Sequence, residues 1–255
     1  THGGDVLTAQ AACGGEVLDF SANLNPLGMP EAVEEAARDA AARCAHYPDP
    51  LCRELRQVIA AHDGVKEEQV VCGNGAADLI FRLAVALRPR KALVTAPTFS
   101  EYEQALSWVG CEMVRYTLDQ EKNFDLDSGF LEAIGPGLDL VFLCTPNNPT
   151  GRLVPQELLL AAAARCRAVG ARLVVDECFL ATGGPGLAPW LEEEPCLVLL
   201  RAFTKSYAMA GLRLGYCLMA DESLREALGR CAQPWSVSTP AQAAGVAALT
   251  RCPDW

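Results

Sequence analysis

Lysine is scarce in this 255-residue chain: Lys66, Lys91, Lys122 and Lys205 stand against seventeen arginines. Histidine is scarcer still. His2, His46 and His62 lie far apart, which leaves no histidine cluster for a metal. Basic charge is short overall, and the formal net charge of −11 argues against a nucleic-acid partner, which needs a basic stripe. Long apolar runs are missing too. The longest, Leu158 to Ala164, lies between Glu157 and Arg165 and falls well short of the ~18 residues of a membrane span. No Cys-x-x-Cys pair occurs among the twelve cysteines, most of which sit in apolar segments, as do Cys72, Cys144, Cys178 and Cys217. The polar start, Thr-His-Gly-Gly-Asp, has no secretory character, so these residues read as reduced thiols of a cytoplasmic protein. A disulfide framework and a metal site are not expected.

What is present is core-forming. Apolar residues make up 51% of the chain, enough for one sizeable α/β domain. Residues 1–30 read as an irregular arm, and helices follow from Glu31 to Arg43 and from Leu51 to His62. From residue 70 strands and helices alternate. Strands are predicted over 70–72, 92–94, 112–116, 138–144, 172–175, 196–200 and 214–219. Helices are predicted over 76–87, 102–109, 155–169, 221–231 and 239–250. Such alternation implies a mostly parallel sheet with helices on both faces, and functional groups gathered where strands end.

Four places carry chemistry by that criterion. Lys205 follows an apolar strand, and a lysine amine is the side chain that forms a Schiff base with a carbonyl. By itself it reads equally as a solvated loop lysine. Arg213, eight residues on, is placed to hold an anion. Gly73-Asn74-Gly75-Ala76-Ala77-Asp78 joins a strand to a helix N-terminus, where free N–H groups and the helix dipole suit a phosphate. Glycine there also serves an ordinary tight turn. Thr145-Pro146-Asn147-Asn148-Pro149-Thr150-Gly151 is more specific, because two prolines and a glycine fix an unusual path that presents amide side chains. Asp176 ends another apolar strand, as a helix cap or as a partner to a cation.

Taken together, Pro-Asn-Asn-Pro-Thr-Gly, then Val-Asp-Glu, then Thr-Lys with Gly-Leu-Arg-Leu-Gly-Tyr resembles the class I/II aminotransferases, which use pyridoxal phosphate. Within that family the chain resembles histidinol-phosphate aminotransferases and, more closely, threonine-phosphate decarboxylases of cobalamin biosynthesis. His2-Gly3-Gly4, Asp19 to Gly28, Phe99 and Pro234-Trp235-Ser236-Val237 carry the second likeness. The resemblance implies a three-layer α/β fold of aminotransferase type. Residues 31–255 would form the cofactor-binding large domain, and the arm would contribute to a small domain and the substrate site. The C-terminal part of that small domain is expected to be missing.

The resemblance also implies roles for individual residues. Lys205 would hold pyridoxal 5'-phosphate covalently, and Asp176 would pair with its ring nitrogen. Asn148 would bond its phenolic oxygen, and Phe99 would stack on its face. The backbone of Ala76 and Ala77, with Arg213, would hold its phosphate, Gly75 and Thr204 would also meet the cofactor, and Tyr47 would reach the phosphate of the other subunit in a homodimer. His2, Asn23 and Asn148 would meet a small phosphorylated amino-acid substrate. The implied reaction is decarboxylation of O-phospho-L-threonine to (R)-1-aminopropan-2-yl phosphate. A histidinol-phosphate-type aminotransferase is the alternative, and a truncated cofactor-binding remnant without turnover is a reading of another class. Three positions depart from the aminotransferase pattern. Phe179 replaces a tyrosine, and Ala202 and Ala77 lack hydroxyls that usually meet the cofactor phosphate.

Overall fold

The computed structural model describes residues 3–180 and 186–255. In chain order the elements are α1 (Val6–Cys13), α2 (Glu31–Ala41), α3 (Arg53–Asp63), β1 (Val70–Gly73), α4 (Gly75–Leu87), β2 (Lys91–Ala96) and α5 (Glu101–Trp108). They continue with β3 (Glu112–Thr117), α6 (Phe130–Ala133), β4 (Leu140–Cys144), α7 (Gln156–Val169), β5 (Arg172–Asp176) and β6 (Leu197–Ala202). The chain then forms α8 (Phe203–Ser206), β7 (Gly215–Met219), α9 (Glu222–Arg230) and α10 (Thr239–Arg251). No helix among the described residues is long and apolar enough to cross a membrane.

Among these residues the strands form one seven-stranded sheet in the order β1-β7-β6-β5-β4-β2-β3. β7 runs antiparallel to both β1 and β6, and every other neighbouring pair is parallel. Six strands therefore end at one edge of the sheet. The apolar runs of β4, β5 and β6 are buried on both faces, as a sheet covered on each side by helices demands. Val94, Phe142, Val174 and Val198 pack against α4, α5 and α9 through residues such as Leu79, Leu83, Leu106 and Leu228. Leu93, Val141, Val175 and Leu199 face the other way, toward α3, α7 and α10. The result is the three-layer arrangement that the alternation predicts.

Local chemistry sets several boundaries. Asp221 caps α9 by accepting the Leu224 N–H at 3.0 Å, and it also takes a hydrogen bond from Arg172 at the start of β5. Ser238 caps α10. A side chain on Gly245 of α10 would meet Leu214 and Leu55 at 2.5 and 2.8 Å, so the absence of one lets this helix seat on the sheet layer. The arm is less irregular than its sequence suggests. Residues 6–13 form α1, with Asp5 accepting from the Thr8 N–H and Gly14 closing the helix at φ 70°. The helix buries none of its residues and has no polar face. Helical periodicity was therefore absent, and only the two caps marked it.

One polar group is buried between layers. The Arg201 guanidinium of β6 bonds Glu177 Oε2 through Nε and Nη2 at 2.9 and 2.7 Å, and Asp63 Oδ1 of α3 through Nη1 at 2.8 Å. Glu177 Oε1 accepts the Leu187 N–H at 2.8 Å. Both carboxylate side chains are 1% exposed. Removing the cation would leave buried Glu177 without its charged partner and Asp63 with the His62 ring. Arg201→Leu is expected to lower stability by about 3–5 kcal/mol in urea unfolding; a loss under about 1 kcal/mol would show that water reaches the triad.

Candidate active site

The strand ends bring the chemistry together. Register aligns Cys144 of β4 with Asp176 of β5 and Asp176 with Leu200 of β6. It likewise aligns Gly73 of β1 with Gly215 of β7, and Gly215 with Ala202 of β6. At this edge a cavity of about 150 Å³ is lined by Ala76, Ala77, Phe99, Asn148, Asp176, Thr204, Lys205 and Arg213, eight of the residues singled out from sequence. Cys144, Cys178, Phe179 and Ala202 complete the lining.

One end of the cavity suits an anion. α4 begins there, and its N-cap residue Asn74 makes no side-chain cap, so N–H groups of the first turn remain available. Gly75 adopts φ +84°, and a Cβ on it would lie 2.8 Å from Arg213 Nη2. The guanidinium therefore lies directly over the turn. Arg213 also bonds the Ala210 carbonyl at 3.2 Å. A Cβ on Gly215 would meet the Ala76 nitrogen at 2.6 Å, which is how closely β7 backs the turn. Asp78, an acid in the same helical turn, accepts the Asn74 N–H at 2.9 Å and has Arg82 at 3.4 Å. Its charge is thereby partly offset.

The other end suits a cation. Asp176 is buried, with Oδ1 accepting the Cys178 N–H at 2.9 Å and Oδ2 accepting the Tyr102 hydroxyl at 2.6 Å. Between the two ends, one-turn helix α8 carries Lys205. Its Nζ lies 5.2 Å from the centre of the Phe179 ring. The other three lysines are ion-paired on the surface, Lys66 with Glu192, Lys91 with Glu112 and Lys122 with Asp127. Among the described residues Lys205 has no such partner. Burial lowers its pKa, and the nearby charge of Arg213 adds to the effect against the opposing pull of Cys178 and Asp176.

The two asparagines of the proline turn divide their work. Asn147 turns inward to stitch loops: Nδ2 donates to the Pro97 carbonyl at 3.1 Å and to Thr150 Oγ1 at 2.9 Å, and Oδ1 accepts from Thr98 at 3.0 Å. Asn148 is left facing the cavity. Tyr102 and Asn25 escaped the reading of the sequence. Tyr102 follows Phe99 by one helical turn, and that spacing was its only sign. Asn25 donates its N–H to the Lys205 carbonyl at 3.0 Å and its Nδ2 to the Ser206 carbonyl at 2.8 Å, docking the arm on α8.

Among the described residues, the predicted Gly75, Tyr47 and Asn23 are not part of this lining, Gly75 lying in the turn beneath Arg213. Tyr47 is 76% exposed and stacks on Trp235, with ring centres 4.2 Å apart. Asn23 is exposed on the arm, between Ser21 and the docked Asn25. His2 lies outside the described residues, while its neighbours Gly3 and Gly4 seat on Ser21.

The arrangement combines an anion cradle, an amine of lowered basicity, an aromatic face and a buried carboxylate. It suits a planar, anionic, nitrogen-containing carbonyl compound. The family model for aminotransferases of class I and II matches residues 15–254. The threonine-phosphate decarboxylase of Salmonella typhimurium is 41% identical over 253 residues, covering 97% of this chain and 70% of the relative. A histidinol-phosphate aminotransferase of Desulfitobacterium hafniense is 36% identical, covering 92% of this chain and 66% of the relative. Among solved structures, the histidinol-phosphate aminotransferase of Clostridium acetobutylicum superposes with a TM-score of 0.84 at 28% identity, over 92% of this chain and 70% of that one. The L-threonine-O-3-phosphate decarboxylase of Porphyromonas gingivalis gives 0.81 at 26%, over 91% and 69%. The chain thus spans about two thirds of the length of these relatives.

The lowered basicity of Lys205 gives it a larger neutral fraction near pH 8 than a free lysine has. In competitive labelling with limiting acetic anhydride at that pH, Lys205 is expected to react ahead of Lys66 and Lys122, whose ion pairs raise their pKa values. Peptide mapping that finds Lys205 the least modified would contradict the electrostatic picture.

Proposed function

The chain belongs to the aminotransferase class I and II family, and from that premise we propose that it uses pyridoxal 5'-phosphate to decarboxylate O-phospho-L-threonine, yielding (R)-1-aminopropan-2-yl phosphate. When bound, this cofactor supplies an aldehyde that an amine can capture and a protonated pyridine ring that withdraws electrons from a bond at the substrate α-carbon. The residues present fit it. The first-turn N–H groups of Ala76 and Ala77, Thr204 and Arg213 bind the phosphate, and the Phe99 ring covers one face and excludes water. Asp176 would accept a hydrogen bond from the protonated ring nitrogen, and Asn148 would donate to the phenolic oxygen. Lys205 Nζ acts as nucleophile and afterwards holds a proton beside the α-carbon. In this reading residues 31–255 form the cofactor-binding large domain, while the arm, with His2 and Asn23, serves the substrate side.

The observation that carries the choice of reaction is the 41% identity to a threonine-phosphate decarboxylase, against 36% for the histidinol-phosphate aminotransferase. Phe179 supports it, since a phenyl ring beside Lys205 removes a hydroxyl donor found in many aminotransferases. Transamination remains the second reading, favoured by the close superposition on an aminotransferase. The two would differ in which bond of the substrate α-carbon is given up: the one to the carboxylate in decarboxylation, the one to hydrogen in transamination, with Lys205 as base. We further propose a homodimer in which exposed Tyr47, braced by Trp235, completes the partner's phosphate site.

Supplied with pyridoxal phosphate and O-phospho-L-threonine, the protein is expected to release carbon dioxide with no keto acid present. Strict dependence on a keto acid, with no carbon dioxide, would assign it to the aminotransferases. Binding of cofactor without either turnover would leave a binding remnant. Borohydride reduction should fix the label on Lys205, and recovery on another lysine would overturn its role.

The vacant hydroxyl position at Ala202 offers an independent check. Because Ala202 lines the cavity beside Thr204 and Arg213, Ala202→Ser is expected to tighten pyridoxal phosphate binding by ~1 kcal/mol, the net worth of one hydrogen bond. Equal or weaker binding in a fluorescence titration would mean that the position is already served.

A further inference from the structure

We infer that Tyr102 is a positioning residue for the Asp176 carboxylate, fixing the plane in which that group meets the cofactor's ring nitrogen. The inference rests on the proposed cofactor reading and adds a residue to it. Tyr102 is fully buried on the first turn of α5, on the face of the sheet that carries the cavity. Its hydroxyl donates to Asp176 Oδ2 at 2.6 Å, the length of a charge-assisted hydroxyl–carboxylate bond. The second oxygen, Oδ1, is held by the Cys178 N–H at 2.9 Å. Two donors on two different oxygens fix the rotation of the carboxylate about its Cβ–Cγ bond. Each oxygen accepts more than one hydrogen bond, so acceptor positions remain for a donor in the cavity.

The donor is itself held in place. The Tyr102 ring lies parallel to Phe142 of β4, with centres 4.8 Å apart and an angle of 9°. It meets Phe99 edge-on at 5.6 Å and 83°. Phe99 is the ring proposed to cover the cofactor face, so a single aromatic group sets both the face contact and the carboxylate orientation. Burial, reinforced by the Asp176 charge, pushes the phenol well above its ordinary pKa, which keeps Tyr102 a neutral donor. A tyrosine placed only for packing would need no carboxylate partner on the cavity side.

The test uses pyridoxal phosphate labelled with 15N in the ring, bound to the protein and to Tyr102→Phe, alone and combined with Asp176→Asn. Phenylalanine keeps the packing on Phe142 and Phe99, and urea unfolding checks that the variant is folded. In the unaltered protein the ring nitrogen is expected to show the 15N shift of a protonated pyridine. In Tyr102→Phe that shift should move toward the unprotonated value at pH 8, and cofactor binding should weaken by about tenfold, as for loss of a hydrogen bond to a charged group. In the Asp176→Asn background, Tyr102→Phe should change neither quantity further, because its effect passes through the carboxylate. The cofactor-free protein supplies a reading that needs no variant to fold: a downfield, slowly exchanging Tyr102 hydroxyl proton in its NMR spectrum. Equal ring protonation and equal affinity in Tyr102→Phe would overturn the inference alone, as would the same loss with and without Asp176. A protein that takes up no pyridoxal phosphate would overturn the functional reading together with it.

Discussion

The arginine buried between Glu177 and Asp63 fixes the ends of two strands on which the site depends. Glu177 follows Asp176 directly, and Arg201 precedes Ala202 and the turn that carries Lys205. In a strand, neighbouring side chains point to opposite faces. Asp176 therefore faces α5 and the cavity, while Glu177 faces α3 and the guanidinium. The same alternation sends Arg201 to the α3 side and Ala202 to the cavity. Holding Glu177 Oε2 by two N–H groups of Arg201 thus fixes the register and direction of the two neighbouring site positions. A buried ion pair of this kind is a weak source of net stability, because desolvation offsets most of the attraction. Its consequence lies in geometry: two strand ends cannot slip without exposing three charges to an apolar layer.

Much of this was legible in the sequence because it rests on local signals. Apolar runs bounded by Gly, Pro and Asn marked the strands. Strand ends in a parallel sheet share one edge, so residues at those ends could be grouped before any contact was known. Asn74, Asn148, Asp176 and Lys205 were grouped in this way, while Arg213 stood out by leading into the next apolar run. What was not legible depends on side chains that meet across layers. Tyr102 looked like any helix-start aromatic, and its partner is 74 positions away. The Asp63–Arg201 contact spans 138 positions. Asn25 was visible only as part of an arm segment, with nothing to say that it binds the backbone of α8. α1 was missed because its residues bury nothing, so no periodicity was written into it.

The electrostatics of the cavity follow from composition as much as from contacts. With four lysines in an acidic chain, three find carboxylates at the surface and the fourth is kept from them. The half-buried amine of Lys205 is stacked over an apolar ring and flanked by Arg213 on the cradle side. Asp176 lies in the same cavity, but its oxygens already accept from Tyr102 and Cys178. A carboxylate so engaged attracts the ammonium less than a free one would, which is consistent with burial being the leading influence on the amine. The hydrogen bonds that orient Asp176 toward the ring end therefore also help to leave Lys205 reactive.

The same accounting bears on how the substrate is held. Among the described residues lining the cavity, Arg213 and Lys205 are the cations. Arg213 lies against Gly75 in the anion cradle, and in the proposed reading Lys205 would be engaged by the aldehyde. A phosphorylated amino-acid substrate would bring two further anionic groups, and the groups that bind them would come from beyond this lining. The arm is placed to contribute, since Asn25 fixes it to the carbonyls of Lys205 and Ser206, two residues along from Asn23. In the proposed reading, substrate choice and cofactor binding would thus be separated in the fold: strand ends would hold the cofactor, and segments attached to them would meet the substrate.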